Sequence, residues 1–297
     1  WTPLWPELYQ FGPRVVEQAI NSIYEYHVVD KTKSIFNRHS NVYTGVLTEP
    51  PSAWIKHAGL YIYSFLFMYA NTSDQKYLDW SHNLAALYWN NRDPQTNLVY
   101  SVFKGAEGVP DGSRQPGISL AYWILKGWQL HHDQQLYDQA VAYMDSYIRY
   151  GKVNLESWWH YKYGTDGGEP LDIQALISAY EITGDHKFLG AAEAFVQPLL
   201  SVAIPEEDGI WAEAYGRTVS VFARLYQDTG KTVYLEQARK VADAAIDCLF
   251  VNGLLMAVTG DGYRYYDNQF GVGDLVFGLV QLAMAESGAS GPLPDGF

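Results

Sequence analysis

The run Leu171–Val196, LDIQALISAYEITGDHKFLGAAEAFV, holds the fold in miniature. Its first half, to Thr183, is apolar on nearly every side, which a helix tolerates only when neighbours cover it all round. Gly184 ends that helix, because glycine takes the left-handed closing turn at no steric cost. Asp185 follows as an N-cap acid. From His186 the chain reads as a second, amphipathic helix, which Pro198 shortens or kinks. A buried helix, a short turn and a half-wet helix make an αα-hairpin.

The same turn and helix start recur along the chain. SDQKYLDWSHNLA, HDQQLYDQAVAYM, GDHKFLGAAEAFV and GKTVYLEQARKVA align with Tyr77, Leu136, Phe188 and Tyr234 in register. Three residues earlier stand Asp74, Asp133, Asp185 and Lys231. Repetition of type, order and register predicts a helical-hairpin array. Amphipathic helices start near residues 13, 74, 134, 186 and 232. Apolar helices are expected over 52–70, 118–130, 171–183, 217–227 and 273–285, with Ser52 capping the first of them. Residues 1–11 read as an extended lead-in. Leu60, Phe65, Leu120, Leu176, Ile177, Val221 and Leu279 are the expected core. Short turns lead from each apolar helix to the next amphipathic one, and long aromatic loops lead back. Those loops are the expected working surface.

This pattern, with its turn signature (T)GD-x-[KR]-[YF]-L, resembles the α/α-toroid superfamily, the six-hairpin glycosidase-like folds and their lyase relatives. The likeness covers the whole chain as architecture. It implies an all-α toroid of about five hairpins (five or six) in a single domain over residues 1–297. It also implies a carbohydrate substrate and a cleft at the loop-bearing end. WAEAYGR at Trp211–Arg217 is distantly similar to the WxRGxxW stretch of the unsaturated uronyl hydrolases, without its spacing.

Composition narrows the function from another side. The 297 residues are 48% hydrophobic and 18% charged, enough for a large core and too ordered for disorder. The net charge of -13 argues against nucleic acid and anionic membranes as partners. Aromatics reach 15%, with 24 Tyr and 10 Trp, as filler of a helical core or as platforms for sugar rings. A single cysteine, Cys248, reads as a buried inert thiol and leaves no intrachain disulfide or cysteine-ligated metal. No metal or cofactor motif is present, so neither is expected. His57 reads as a core histidine. The expected location is secreted or periplasmic; oligomeric state is not legible.

Hydrolysis of a glycosidic bond asks for two carboxyl groups. Among the loop acids, Asp172, Glu213 and Asp111 stand beside aromatics and are the favoured pair members. Each has a plainer reading: a helix-start acid for Asp172, an ion pair with Arg217 for Glu213, a turn for Asp111. Elimination across a uronate would instead use groups such as His160 and Tyr265, with an arginine neutralising the carboxylate. Trp158, Trp159, Trp211, Tyr215, Arg217, Tyr263, Arg264 and Tyr266 are the expected sugar contacts, one Trp of the adjacent pair facing the cleft and the other packing. A sugar-binding protein without catalysis is the remaining class.

Overall fold

The turn acids do what their spacing predicts. Asp74, Asp133 and Asp185 accept from the backbone N–H groups of Lys76, Leu136 and Lys187, capping three helices. Lys231, in the fourth repeat, makes no side-chain cap. In this computed structural model the described residues are 4–38, 51–105, 107–110, 118–153, 155–159, 169–205, 208–260, 271–288, 291 and 293–294. They form two compact units, Trp1–Gly151 and Lys152–Phe297.

In the first unit, α1 (Trp5–Phe11) and α2 (Pro13–His27) precede α3 (Ile55–Thr72), α4 (Gln75–Asn90), α5 (Ser119–Leu130) and α6 (Gln134–Tyr150). The apolar α3 and α5 pack on each other, and α4 and α6 lie against them. The expected extended lead-in is instead α1, with Pro6 in the first turn, where its missing N–H costs nothing. Ser52 is not a helix cap. It sits in a small sheet of β3 (Ser52–Trp54), β4 (Val102–Lys104) and β5 (Val109–Pro110), paired with Lys104, and the helix starts at Ile55. The hairpin of β1 (Val28–Asp30) and β2 (Ile35–Phe36) follows α2. Aromatic rings fill this unit: Tyr24 stacks on Trp80 at 3.8 Å, and Phe65 meets both edge-on.

The second unit holds α7 (Leu155–Trp159), α8 (Pro170–Thr183), α9 (His186–Val196), α10 (Ala212–Thr229), α11 (Thr232–Leu249) and α12 (Val272–Glu286). A hairpin of β6 (Phe250–Val251) and β7 (Leu254–Leu255) follows α11. As Pro198 requires, α9 stops at Val196 and one 3-10 turn continues to Leu200. The central α8 and α10 are buried along consecutive residues, as neighbours on all sides demand. Gly184 and Gly230 close them in the left-handed conformation.

Phe65, Leu120, Leu176, Ile177 and Val221 are buried as expected. Leu60 and Leu279 are only half-buried. For Leu279 the reason is that α12 covers one side only: its neighbours Val276 and Val280 stand exposed. No described contact explains Leu60. Cys248 is half-buried rather than fully enclosed, and so is His57.

Candidate active site

Sequence places the start of the fourth apolar helix near Arg217; the structure starts α10 at Ala212. No side chain caps that start. The preceding strand-like segment fixes it instead: Trp211 bridges Val258, Ala212 N–H donates to Ala257 O, and Thr259 N–H donates to Ile210 O. Glu213, Tyr215 and Arg217 are therefore helical residues rather than loop residues. Glu213 and Arg217, four apart, share one face.

Close helix packing then brings a third helix to that face. A Cβ on Gly216 would lie 2.3 Å from Leu275 N, and one on Gly278 would lie 2.3 Å from Gly216 O. Only glycines allow α10 and α12 to touch backbone to backbone. The contact sets Asp274, in the first turn of α12, beside Arg217, with Arg217 Nε to Asp274 Oδ1 at 3.2 Å. Arg217 Nη2 pairs with Glu213 Oε1 one turn back. Gly271 has φ +75°, and a Cβ there would fall on Glu213 Cβ, so the residue entering α12 must be glycine on both counts. From α8, Glu169 (6% exposed) contributes its field to Arg217, and Asp172 (4% exposed) stands in the same first turn.

Three helix N-termini thus meet at one guanidinium whose side chain is 18% exposed. Burial pulls the Arg217 pKa down, but the charges of Glu213, Asp274 and Glu169 outweigh it, and the net shift is upward. Acids in the first turn also complement each helix dipole. The plain reading of Glu213 as the (i, i+4) partner of Arg217 is present in the structure.

The aromatic candidates surround this cluster unequally. Trp158 and Trp159 are 1% and 6% exposed, so both indoles pack, where one was expected in a cleft. Trp158 Nε1–H donates to Thr218 Oγ1 at 2.9 Å. Tyr215 is buried, its ring 5.7 Å from that of Trp159 and its hydroxyl on Pro205 O. Trp211 is half-buried at the N-cap of α10. Asp111, His160, Tyr263, Arg264, Tyr265 and Tyr266 lie outside the described residues. The sequence reading missed Asp274. A signal existed: α8, α10 and α12 each carry an acid in the first turn, Asp172, Glu213 and Asp274.

No protein-family model matches the chain, and no curated protein matches it in sequence. Solved structures do match. Cellobiose 2-epimerase from Bacillus thermoamylovorans is 12% identical with a TM-score of 0.61, covering 94% of this chain and 84% of its own. A glycoside hydrolase family 76 mannosidase from Bacteroides thetaiotaomicron is 13% identical with a TM-score of 0.57, covering 96% and 82%. The unsaturated glucuronyl hydrolase of Bacillus sp. GL1 is 15% identical with a TM-score of 0.53, covering 94% and 78%. The fold is that of the α/α-toroid carbohydrate-active enzymes, without a single family being distinguished. No helix among the described residues is long and apolar enough to cross a membrane.

Proposed function

We propose that this protein is a carbohydrate-active enzyme that hydrolyses glycosidic bonds of an oligo- or polysaccharide. One observation carries the reading: carboxylates from three helix N-termini gather about Arg217. Hydrolysis needs a proton donor at the leaving oxygen and a second carboxylate as base or nucleophile. Asp172 takes the donor's place and Glu213 the other, with Arg217 fixing the Glu213 rotamer. Among the described aromatics of this cluster, Trp211, two residues before Glu213 and half-buried, is the one offered to a sugar ring. The names borne by structures of the same fold, two hydrolases and an epimerase of sugars, support a carbohydrate substrate. Action outside the cytoplasm, on a secreted or periplasmic enzyme, belongs to the same proposal.

The test is product analysis on a panel of oligosaccharides with the parent and with Asp172→Asn and Glu213→Gln. New reducing ends, lost on the order of a hundredfold in either amide variant with melting unchanged, support hydrolysis. A product of unchanged length with one inverted carbinol would replace hydrolysis by epimerisation. An unsaturated uronate product, surviving in both amide variants, would replace it by elimination.

A further inference from the structure

Two acids divide one arginine between them at this site. The Nε–H and Nη2 of an arginine lie on one side of the planar guanidinium and form a fork that fits both oxygens of a single carboxylate. Here the fork is shared. Arg217 Nε–H donates to Asp274 Oδ1 at 3.2 Å, and Nη2 pairs with Glu213 Oε1. No described residue donates a hydrogen bond to the second Glu213 oxygen, Oε2. Resting on the hydrolase reading, we infer that Asp274 is a positioning residue for Glu213. By occupying Nε–H it keeps Arg217 from taking both Glu213 oxygens, and so leaves one of them for the sugar.

The packing of α10 on α12 holds this division in place. Gly216, next to Arg217, meets the Asp274 backbone directly: a Cβ there would lie 2.4 Å from Asp274 O. Asp274 therefore keeps its place beside Arg217 for as long as the two helices touch. At Gly271 a Cβ would lie 2.2 Å from Glu213 Cβ, so the stem of Glu213 is confined from the α12 side as well. The guanidinium is planar and rigid, and fixing its Nε–H fixes the direction of Nη2. Both side chains of the Glu213–Arg217 pair are mostly buried, where a hydrogen bond counts for more than in water. Four residues apart on one helix, they would close into a two-pronged pair if Nε–H fell free. A carboxylate gripped by both oxygens is a poorer base or nucleophile, because the cation engages the electron pairs the reaction needs.

The experiment joins crystal structures to kinetics for Asp274→Ala, Asp274→Asn and Arg217→Lys, on an oligosaccharide that the parent hydrolyses. Alanine frees Nε–H. Glu213 should then bind Arg217 through both oxygens, and kcat should fall by about tenfold or more with KM little changed. Asparagine keeps an acceptor oxygen in place without the charge, so the fork should stay divided and most of the lost kcat should return. Lysine at 217 keeps the charge and removes the fork; it should lose kcat on the same scale, and it serves as the test where Asp274→Ala melts far below the parent. Equal losses in Asp274→Ala and Asp274→Asn overturn the inference, because they mark the charge of Asp274 rather than its hold on Nε–H. So does a rise in KM with kcat intact in any of the three, the sign of direct sugar contact. Glu213 still held by one oxygen in Asp274→Ala overturns it too. Each of these leaves the hydrolase reading standing. No new reducing ends from the parent on any oligosaccharide defeat that reading, and the role of Asp274 with it.

Discussion

Removing the carboxyl of Asp228 should stabilise the protein at alkaline pH and do nothing at acid pH. Asp228 lies in the last turn of α10, where the helix dipole disfavours an anion. One turn earlier Arg224, 1% exposed, is bound by both oxygens of Glu181 and by Ser178 Oγ at 2.8 Å. The Arg224 charge is thus already matched by Glu181. Burial, then the charge of Glu181, push the Asp228 pKa from 3.8 up to about 7, against the pull of Arg224. The unfolded chain releases this proton near the ordinary value, and the folded protein holds it until about pH 7. Between those values the native state binds more protons, so stability falls as pH rises through the window and levels off above it. Three pK units at ~1.4 kcal/mol each give a ceiling of about 4 kcal/mol. Asp228 keeps a wet edge, and water screening there leaves about 2 kcal/mol. Urea unfolding of the parent and Asp228→Asn at pH 4, 6 and 8 measures it. The variant should match the parent at pH 4 and gain progressively to pH 8. A gain of the same size at every pH, or a loss at pH 8, would show that Asp228 is not a buried strained acid.

Other perturbations separate packing from function. Gly216→Ala puts a methyl into the backbone of α12; it should cost about 1–3 kcal/mol in denaturant melts and lower turnover by displacing Asp274 from Arg217. Leu176→Ala in the enclosed α8 should cost about 2–5 kcal/mol, and a loss well under 1 kcal/mol would show that α8 is not packed all round. Asp133→Ala removes the cap of α6 and the partner of His82 Nε2 at 2.7 Å; thermal melts should report a loss of about 0.5–2 kcal/mol. Trp211→Ala should weaken sugar binding with little change in melting temperature, and unaltered binding would assign Trp211 to packing alone.

The hairpin array was legible in the sequence because its signals are local. An acid caps the helix two or three residues on, a glycine or Ser73 takes the left-handed close, and apolar residues declare which helices are enclosed. Each depends on neighbours within a turn or two of chain, and periodicity carries them. The acids Asp172 and Glu213 could be marked for the same reason, by their place among aromatics.

What surrounds those acids was decided elsewhere in the chain. The start of α10 hangs on backbone bonds from residues 209–212 to 257–259, which have no local signature, so Glu213 and Tyr215 passed for loop residues. Asp274 entered the cluster only because Gly216 and Gly278 let α10 and α12 touch, a complementarity of two distant glycines that neither segment announces alone. The buried Trp158 finds its partner in the Thr218 hydroxyl, sixty positions away, and Trp159 packs on the Tyr215 ring of α10. Local chemistry chose the helices; long-range contact chose which of their first turns share one guanidinium.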